Sequence, residues 1–193
     1  MPTKSESKDL KAMGLVTANE VQKKLRISQP TLSRWVKSGA VLRLSHGLYV
    51  HPDHEIPPQD LDFAVACAKF GEKSAVGGLS ALFHYGLTDQ PPAQVWIIAP
   101  TSKADHNRLY RILRTKTSLK HGITDLEFYR ISDIERTVVE ALKFAAKIGP
   151  RVAINAARKA LKDGLTTEKK LGEMAKKLKL SSVLEKYWEA IVE

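Results

Sequence analysis

The chain has 193 residues, 43% of them hydrophobic and 27% charged, with 31 Lys and Arg against 21 Asp and Glu. That balance fits a soluble globular protein with room for one large or two small cores, and it excludes a disordered or fibrous chain. The apolar run Val95 to Ala99 is far short of a membrane span, the start MPTKSESKDLK lacks the apolar segment of a secretory signal, and the lone Cys67 cannot form an internal disulfide, so a cytoplasmic protein with no membrane partner is expected.

Residues 5–13 read as a short leading helix. Thr17-Ala18-Asn19-Glu20 is a capping box, in which a hydroxyl and a carboxylate satisfy backbone N–H groups left open at a helix start. Val21 and Leu25 follow one turn apart. Ser28 caps a second helix, with Pro30 tolerated in its first turn because that position needs no N–H donor. Leu32, Trp35 and Val36 repeat at helical spacing and face inward, and Gly39 suits the left-handed position that stops a helix. Gln29, Thr31, Ser33, Arg34 and Lys37 are left on the opposite face. They are short polar or basic groups able to reach base edges and phosphates from a helix lying in a major groove. Leu42 and Leu44, a Ser45-His46-Gly47 turn and Leu48-Tyr49-Val50 then predict a two-stranded hairpin, with His46 at the tip and Arg43 and Tyr49 facing outward. Two capped helices and a hairpin make the pattern of a winged helix-turn-helix, and the basic outer face favours double-stranded DNA as partner.

His51 to Pro58 is a proline-rich connector, which predicts a winged domain over 1–58 and a second domain over 59–193. In the second domain Asp60 to Phe70 reads as a helix. Ala75-Val76-Gly77-Gly78 breaks the pattern, and Leu79 to Tyr85 resumes it up to Gly86. Gln94 to Pro100 is a buried strand and Ile123 to Ile131 another, with a third strand near 112–120 that cannot be phased. Ser132-Asp133-Ile134-Glu135 is read as a capping box opening a long helix to about Lys147, ended by Gly149-Pro150. Helices near 151–163, 167–178 and 182–191 follow. The expected fold class is α+β: a winged helix-turn-helix domain, then a mixed α/β domain with a helical C-terminal half.

The positive charge is regional. Residues 1–58 carry nine Lys or Arg against five acids, residues 100–122 six against one, and residues 150–180 nine against three. Such blocks suit a polyanion or an acidic protein surface. Residue patterns for chemistry are weak by comparison. His51-x-x-His54 with Asp53 and Glu55 lies in a proline-rich linker with no Cys pair or further His nearby, Gly77-Gly78 alone is no phosphate loop, and the acids elsewhere are too scattered for paired-carboxylate or two-metal chemistry. Cys67 reads as a buried thiol, His84 as a packed histidine, and His106 and His121 as additions to a basic face. Arg136-Thr137 reads as a structural pair tying strand to helix. The expectation is therefore no enzyme, no cofactor and no metal.

Three stretches, ISQPTLSRWVKSGAVLRLSHGLYVHPD, AVGGLSALFHYGLTDQPPAQVWIIAP and ISDIERTVVEAL, resemble in order and spacing the AbiEi family of antitoxins, partners in bacterial abortive-infection toxin–antitoxin operons. The resemblance implies a winged helix that binds inverted repeats in the operon's own promoter and represses it. It also implies a C-terminal domain that neutralises a nucleotidyltransferase-like toxin encoded nearby, with or without direct contact. On this sequence the implied DNA contacts are Arg34, Lys37 and Arg43, with Lys23, Lys24 and Arg26 touching flanking phosphates. Two inverted half-sites can be filled by monomers that pair only on DNA. The alternative is a DNA-binding transcriptional regulator whose second domain senses a ligand or dimerises and has no toxin partner.

Overall fold

Thr3, Thr17 and Ser28 each accept a backbone N–H from three residues ahead, and a helix begins after each: α1 (Lys4–Met13), α2 (Ala18–Leu25) and α3 (Gln29–Lys37). At Thr3 and Thr17 the capping box is complete, with Glu6 and Glu20 reaching back to the cap N–H at 2.7 Å. Those hydrogen bonds hold both carboxyls below the usual glutamate range, the cap backbone N–H first and the cap hydroxyl second. The computed structural model describes residues 1–100 and 108–193; His106, expected on the basic face, lies outside the described residues.

The chain is mixed α+β and divides into two compact units, Met1–Lys69 and Phe70–Glu193. In the first unit the three helices pack around Leu10, Val21, Leu32 and Trp35, all buried. A three-stranded antiparallel sheet completes it: β1 (Val16–Thr17), β2 (Leu42–Ser45) and β3 (Leu48–Val50) in the order β1-β3-β2. The hairpin turns at His46-Gly47, with Gly47 at φ +78° supplying the positive φ that a side chain would resist. Its register slips between Arg43 and Ser45, which leaves Leu44 as the extra residue of a bulge.

The expected outward direction of Tyr49 is overturned here. Val16 pairs with Tyr49, so β3 is the central strand, and Tyr49 is buried in the helical core while Leu42 is the exposed residue. Two residues of β1 carry too little pattern to announce a third strand. After the connector, α4 (Pro58–Phe70) runs past the expected boundary at 58/59, and residues up to Lys69 count with the first unit. Cys67 on this helix is half-buried.

The second unit holds a five-stranded sheet in the order β6-β5-β4-β8-β7, from β4 (Ala75–Val76), β5 (Val95–Pro100), β6 (Tyr110–Thr115), β7 (Ile123–Asp125) and β8 (Arg130–Ser132). The sheet is mixed: β5·β6 and β4·β8 run parallel, β4·β5 and β7·β8 antiparallel. The expected break at 75–78 is thus a short central strand. A Cβ on Gly77 would stand 2.3 Å from the Ile98 side chain, so glycine is required by the close approach of β5. The expected single strand over 123–131 is a hairpin instead, with Leu126 exposed and Tyr129 buried.

Among the described residues six helices accompany this sheet: α5 (Gly78–His84), α6 (Ile134–Lys143), α7 (Ala145–Ile148), α8 (Pro150–Lys162), α9 (Glu168–Leu178) and α10 (Ser181–Val192). α6 is the hub, packing against α5 and α7 through α10, and every residue from Arg136 to Leu142 is buried. Ala153, Ala156, Ala157 and Ala160 give α8 a small-residue face that lets neighbouring helices approach closely. The helix expected to run from Ile134 to about Lys147 breaks at Phe144. Its cap is Asp133, accepting from Arg136 N at 2.7 Å, and not Ser132. Ser132 belongs to β8, where it is buried and bonded to the Thr137 hydroxyl at 2.7 Å and, through its carbonyl, to Tyr85. Partial burial of the Tyr85 phenol itself, with the nearby Asp133 and Glu135 charges, pushes its pKa up to about 12. His84 is exposed rather than packed, its ring edge-on to Tyr85 and Tyr129.

Candidate nucleic-acid interface

α3 divides cleanly. Leu32 and Trp35 are buried in the first unit's core and Val36 packs against it, whereas Gln29, Ser33, Arg34 and Lys37 are exposed and Thr31 is half-buried. A helix of this length spans about 13 Å, close to the ~12 Å width of a major groove.

Several of the exposed groups are held in place by one another. Gln22 on α2 donates its side-chain amide to the Gln29 oxygen across the turn, which leaves the Gln29 amino hydrogens to point elsewhere. Thr31 Oγ1 sits 3.0 Å from the Ser28 cap hydroxyl and accepts from Arg34 Nη2 at 3.2 Å. A guanidinium carries five N–H donors, so this contact steers Arg34 and keeps four donors for an outside acceptor. Lys37 and Ser33 make no side-chain hydrogen bond among the described residues. At the hairpin tip, Arg43 Nη2 lies 2.9 Å from His46 Nδ1 and its Nε donates to Ser45 O at 3.4 Å. Arg can only donate, so His46 Nδ1 accepts and the ring proton sits on Nε2, on the exposed tip.

Lys23 and Lys24 are exposed in the last turn of α2, and Arg26 caps it at φ 52°. A left-handed backbone is ordinarily given to glycine, because a Cβ there costs roughly 1 kcal/mol. Arg26 therefore occupies a position that local backbone preference would not choose.

The other sequence candidates resolve as structure. His51 Nε2 bonds the Ser7 hydroxyl at 2.9 Å and its Nδ1 accepts from Asp53 N at 3.0 Å, both within the first unit. Among the described residues no group of three or more His, Cys, Asp or Glu could hold a metal ion. Arg136 is fully buried, ion-paired to Glu140 at 3.0 Å and donating to the carbonyls of Ser118 (2.8 Å) and His121 (2.6 Å), which fastens the loop after β6 to α6. Asp133 is itself raised above the usual aspartate range, burial outweighing the Arg136 N–H it accepts. Sequence reasoning did not single out Lys73, Thr115 or Thr117, which border a cavity in the second unit. Lys116 and Lys120 beside them fell only within the generally basic stretch.

No family model matches the chain, and no curated protein matches it in sequence. Among solved structures the chain is similar to the RV2827C protein from Mycobacterium tuberculosis, at a TM-score of 0.63 and 15% identity, over 93% of this chain and 71% of that one. At this identity the likeness is one of fold, and among the described residues no helix is long and apolar enough to cross a membrane.

Proposed function

We propose that the protein is a DNA-binding regulator that acts as the antitoxin of a bacterial toxin–antitoxin pair. In this reading α2 and α3 are the helix-turn-helix, α3 is the recognition helix, and the β2–β3 hairpin is the wing. Gln29, Thr31, Ser33 and Arg34 address base edges; Lys37 at the end of α3 and Arg43 and His46 at the wing, with Lys23, Lys24 and Arg26, address flanking phosphates. The observation that carries the reading is the split of α3 into a buried apolar face and an exposed polar and basic one, beside a hairpin whose tip presents Arg43 and His46. The resemblance of the three sequence stretches to AbiEi antitoxins supplies the rest: repression of its own promoter through inverted repeats, and a second domain that neutralises a nucleotidyltransferase-like toxin.

The test is a gel-shift series on DNA from upstream of the protein's own gene. Arg34→Ala and Lys37→Ala are each expected to weaken binding by about 1–3 kcal/mol, roughly five- to 150-fold, with an unchanged circular dichroism spectrum. Wild-type affinity in both variants would remove α3 from the interface. For the antitoxin role, the product of the neighbouring gene expressed alone should arrest growth, and co-expression of the full chain should restore it. A harmless neighbour leaves a regulator without a toxin.

A further inference from the structure

The second unit contains a cavity of about 590 Å³ that the proposed DNA contacts do not use. Its walls come from the start of β4's approach, the end of β5, the loop after β6 and the start of β8, and they include Lys73, Thr115, Lys116, Thr117, Lys120 and Arg130. The volume is that of a small-molecule site.

The electrostatics are one-sided. Lys73, Lys116 and Lys120 are exposed, and their ammonium groups make no ion pair among the described residues. Glu72 is the one carboxylate on the described wall, and the Arg130 charge is already met by Asp125 at 2.7 Å. Lys143, behind the wall, adds a further cation: its Nζ donates to Thr115 Oγ1 at 3.0 Å and to Thr117 Oγ1 at 3.1 Å. Burial holds the Lys143 ammonium below the ordinary lysine range, with Glu140 pulling it back up.

The two hydroxyls then have their hydrogens assigned by elimination. Thr115 Oγ1 accepts from Lys143 and from Thr117 N at 3.1 Å, and donates its proton to Thr117 Oγ1 at 2.8 Å. Thr117 Oγ1 thus accepts twice, and its own proton is the one left over on a residue that lines the cavity. The wall behind is stiff, because Arg136 clamps Ser118 and His121 from the helix side. Three ammonium groups and a hydroxyl donor around one cavity suit a ligand with several negatively charged oxygens spread over more than one centre. The described lining has no aromatic ring on which a base would stack, so the anionic end is what the site would grip.

We propose that this cavity binds a small phosphorylated molecule, its phosphoryl oxygens taken by Lys73, Lys116, Lys120 and the Thr117 hydroxyl. The experiment is calorimetric titration of the full chain with inorganic pyrophosphate at constant ionic strength, with sulfate as the competing oxyanion. Saturable binding at one site is expected. The double variant Lys116→Gln/Lys120→Gln should weaken it at least about tenfold. Thr117→Val should weaken it several-fold and Thr117→Ser restore it, because only the hydroxyl donor differs. Lys169→Gln/Lys170→Gln on α9 should leave it unchanged. Absence of saturable binding overturns the proposal, as does an undiminished affinity in Lys116→Gln/Lys120→Gln or an equal loss in the α9 variant. Equal binding of sulfate would reduce the site to a general anion patch. Displacement of pyrophosphate by a random-sequence duplex would make the cavity a nucleic-acid contact and would likewise overturn it. The lysine variants lie on exposed positions and keep the test valid if Thr117→Val fails to fold.

Discussion

Replacing Arg136 with Met tests the account of the second unit's interior most directly. The guanidinium is fully buried and makes three contacts: Glu140 Oε1 at 3.0 Å, Ser118 O at 2.8 Å and His121 O at 2.6 Å. Met fills much of the same volume and supplies none of them. The substitution strands a carboxylate that is 1% exposed and leaves two carbonyls short of a donor. Breaking a buried ion pair from one side costs about 3–5 kcal/mol, and a hydrogen bond to a charged donor about 1.5–3 kcal/mol, in overlapping measures of the same loss. About 4 kcal/mol is therefore expected, a large share of the ~5–15 kcal/mol that holds a domain together. Urea unfolding of the full chain followed by circular dichroism reads it. The double variant Arg136→Met/Glu140→Met is the sharper arm. It removes the stranded carboxylate as well, so it should be more stable than Arg136→Met alone, although it carries one more substitution. Glu140 Oε2 and Arg136 Nε already lack hydrogen-bond partners among the described residues, so the pair is a costly one to begin with. A single variant within about 1 kcal/mol of wild type, or a double variant as unstable as the two singles combined, would refute the reasoning.

Three further outcomes follow from the caps and the backbone. Thr17→Ala should cost about 1 kcal/mol at pH 7. Glu20 titrates below the ordinary glutamate value because of Thr17, so the box stabilises fully above the unfolded pKa and fades as pH falls through the lower folded one. The variant loses both the pH-independent cap bond to the Glu20 N–H and the hydroxyl's bond to the Glu20 carboxylate, so the gap to wild type in thermal melts should narrow without closing as pH falls through the folded pKa, and a constant gap would show the carboxylate to be irrelevant. Asp133→Asn keeps the cap acceptor and removes a charge that burial disfavours. Since the folded pKa is raised, that penalty is absent below the unfolded pKa, grows between the two values and is complete above the folded one. Asn should be more stable than wild type at pH 7, by under about 1 kcal/mol given partial exposure, and equal to it at pH 3. Arg26→Gly relieves the left-handed backbone and should raise stability by up to about 1 kcal/mol. It should weaken operator DNA modestly, and unchanged affinity would drop Arg26 from the phosphate contacts.

Local chemistry is what the chain announces most plainly. Thr17 with Glu20, Ser28 with Pro30, and Gly39 at φ +74° each act within four residues; α2 and α3 begin where the first two pairs say, and α3 stops just before Gly39. The misreadings have a common cause in pairing between distant segments. β4 is two residues long and exists because β5 and β8 flank it. Tyr49 turns inward because β1, far back in the chain, makes β3 central. Ser132 looks like a cap in sequence, yet its hydroxyl is committed to Thr137 inside the strand–helix junction, and the cap passes to Asp133.

The same distinction separates the two sites. The exposed face of α3 is readable from spacing, because one helix supplies every residue and burial of Leu32 and Trp35 dictates where the others point. The cavity is not readable in that way. Residues 72–73, 100, 115–120 and 130 meet only through the order β6-β5-β4-β8, and no window of sequence contains them. Arg136 links the two scales. Thr137 and Arg136 are adjacent in a capped helix, yet one secures the strand before it and the other the loop that walls the cavity. A residue whose local setting is an ordinary amphipathic helix thus fixes a surface that depends on the whole sheet, and a basic stretch becomes a bounded set of donors only once that clamp is in place.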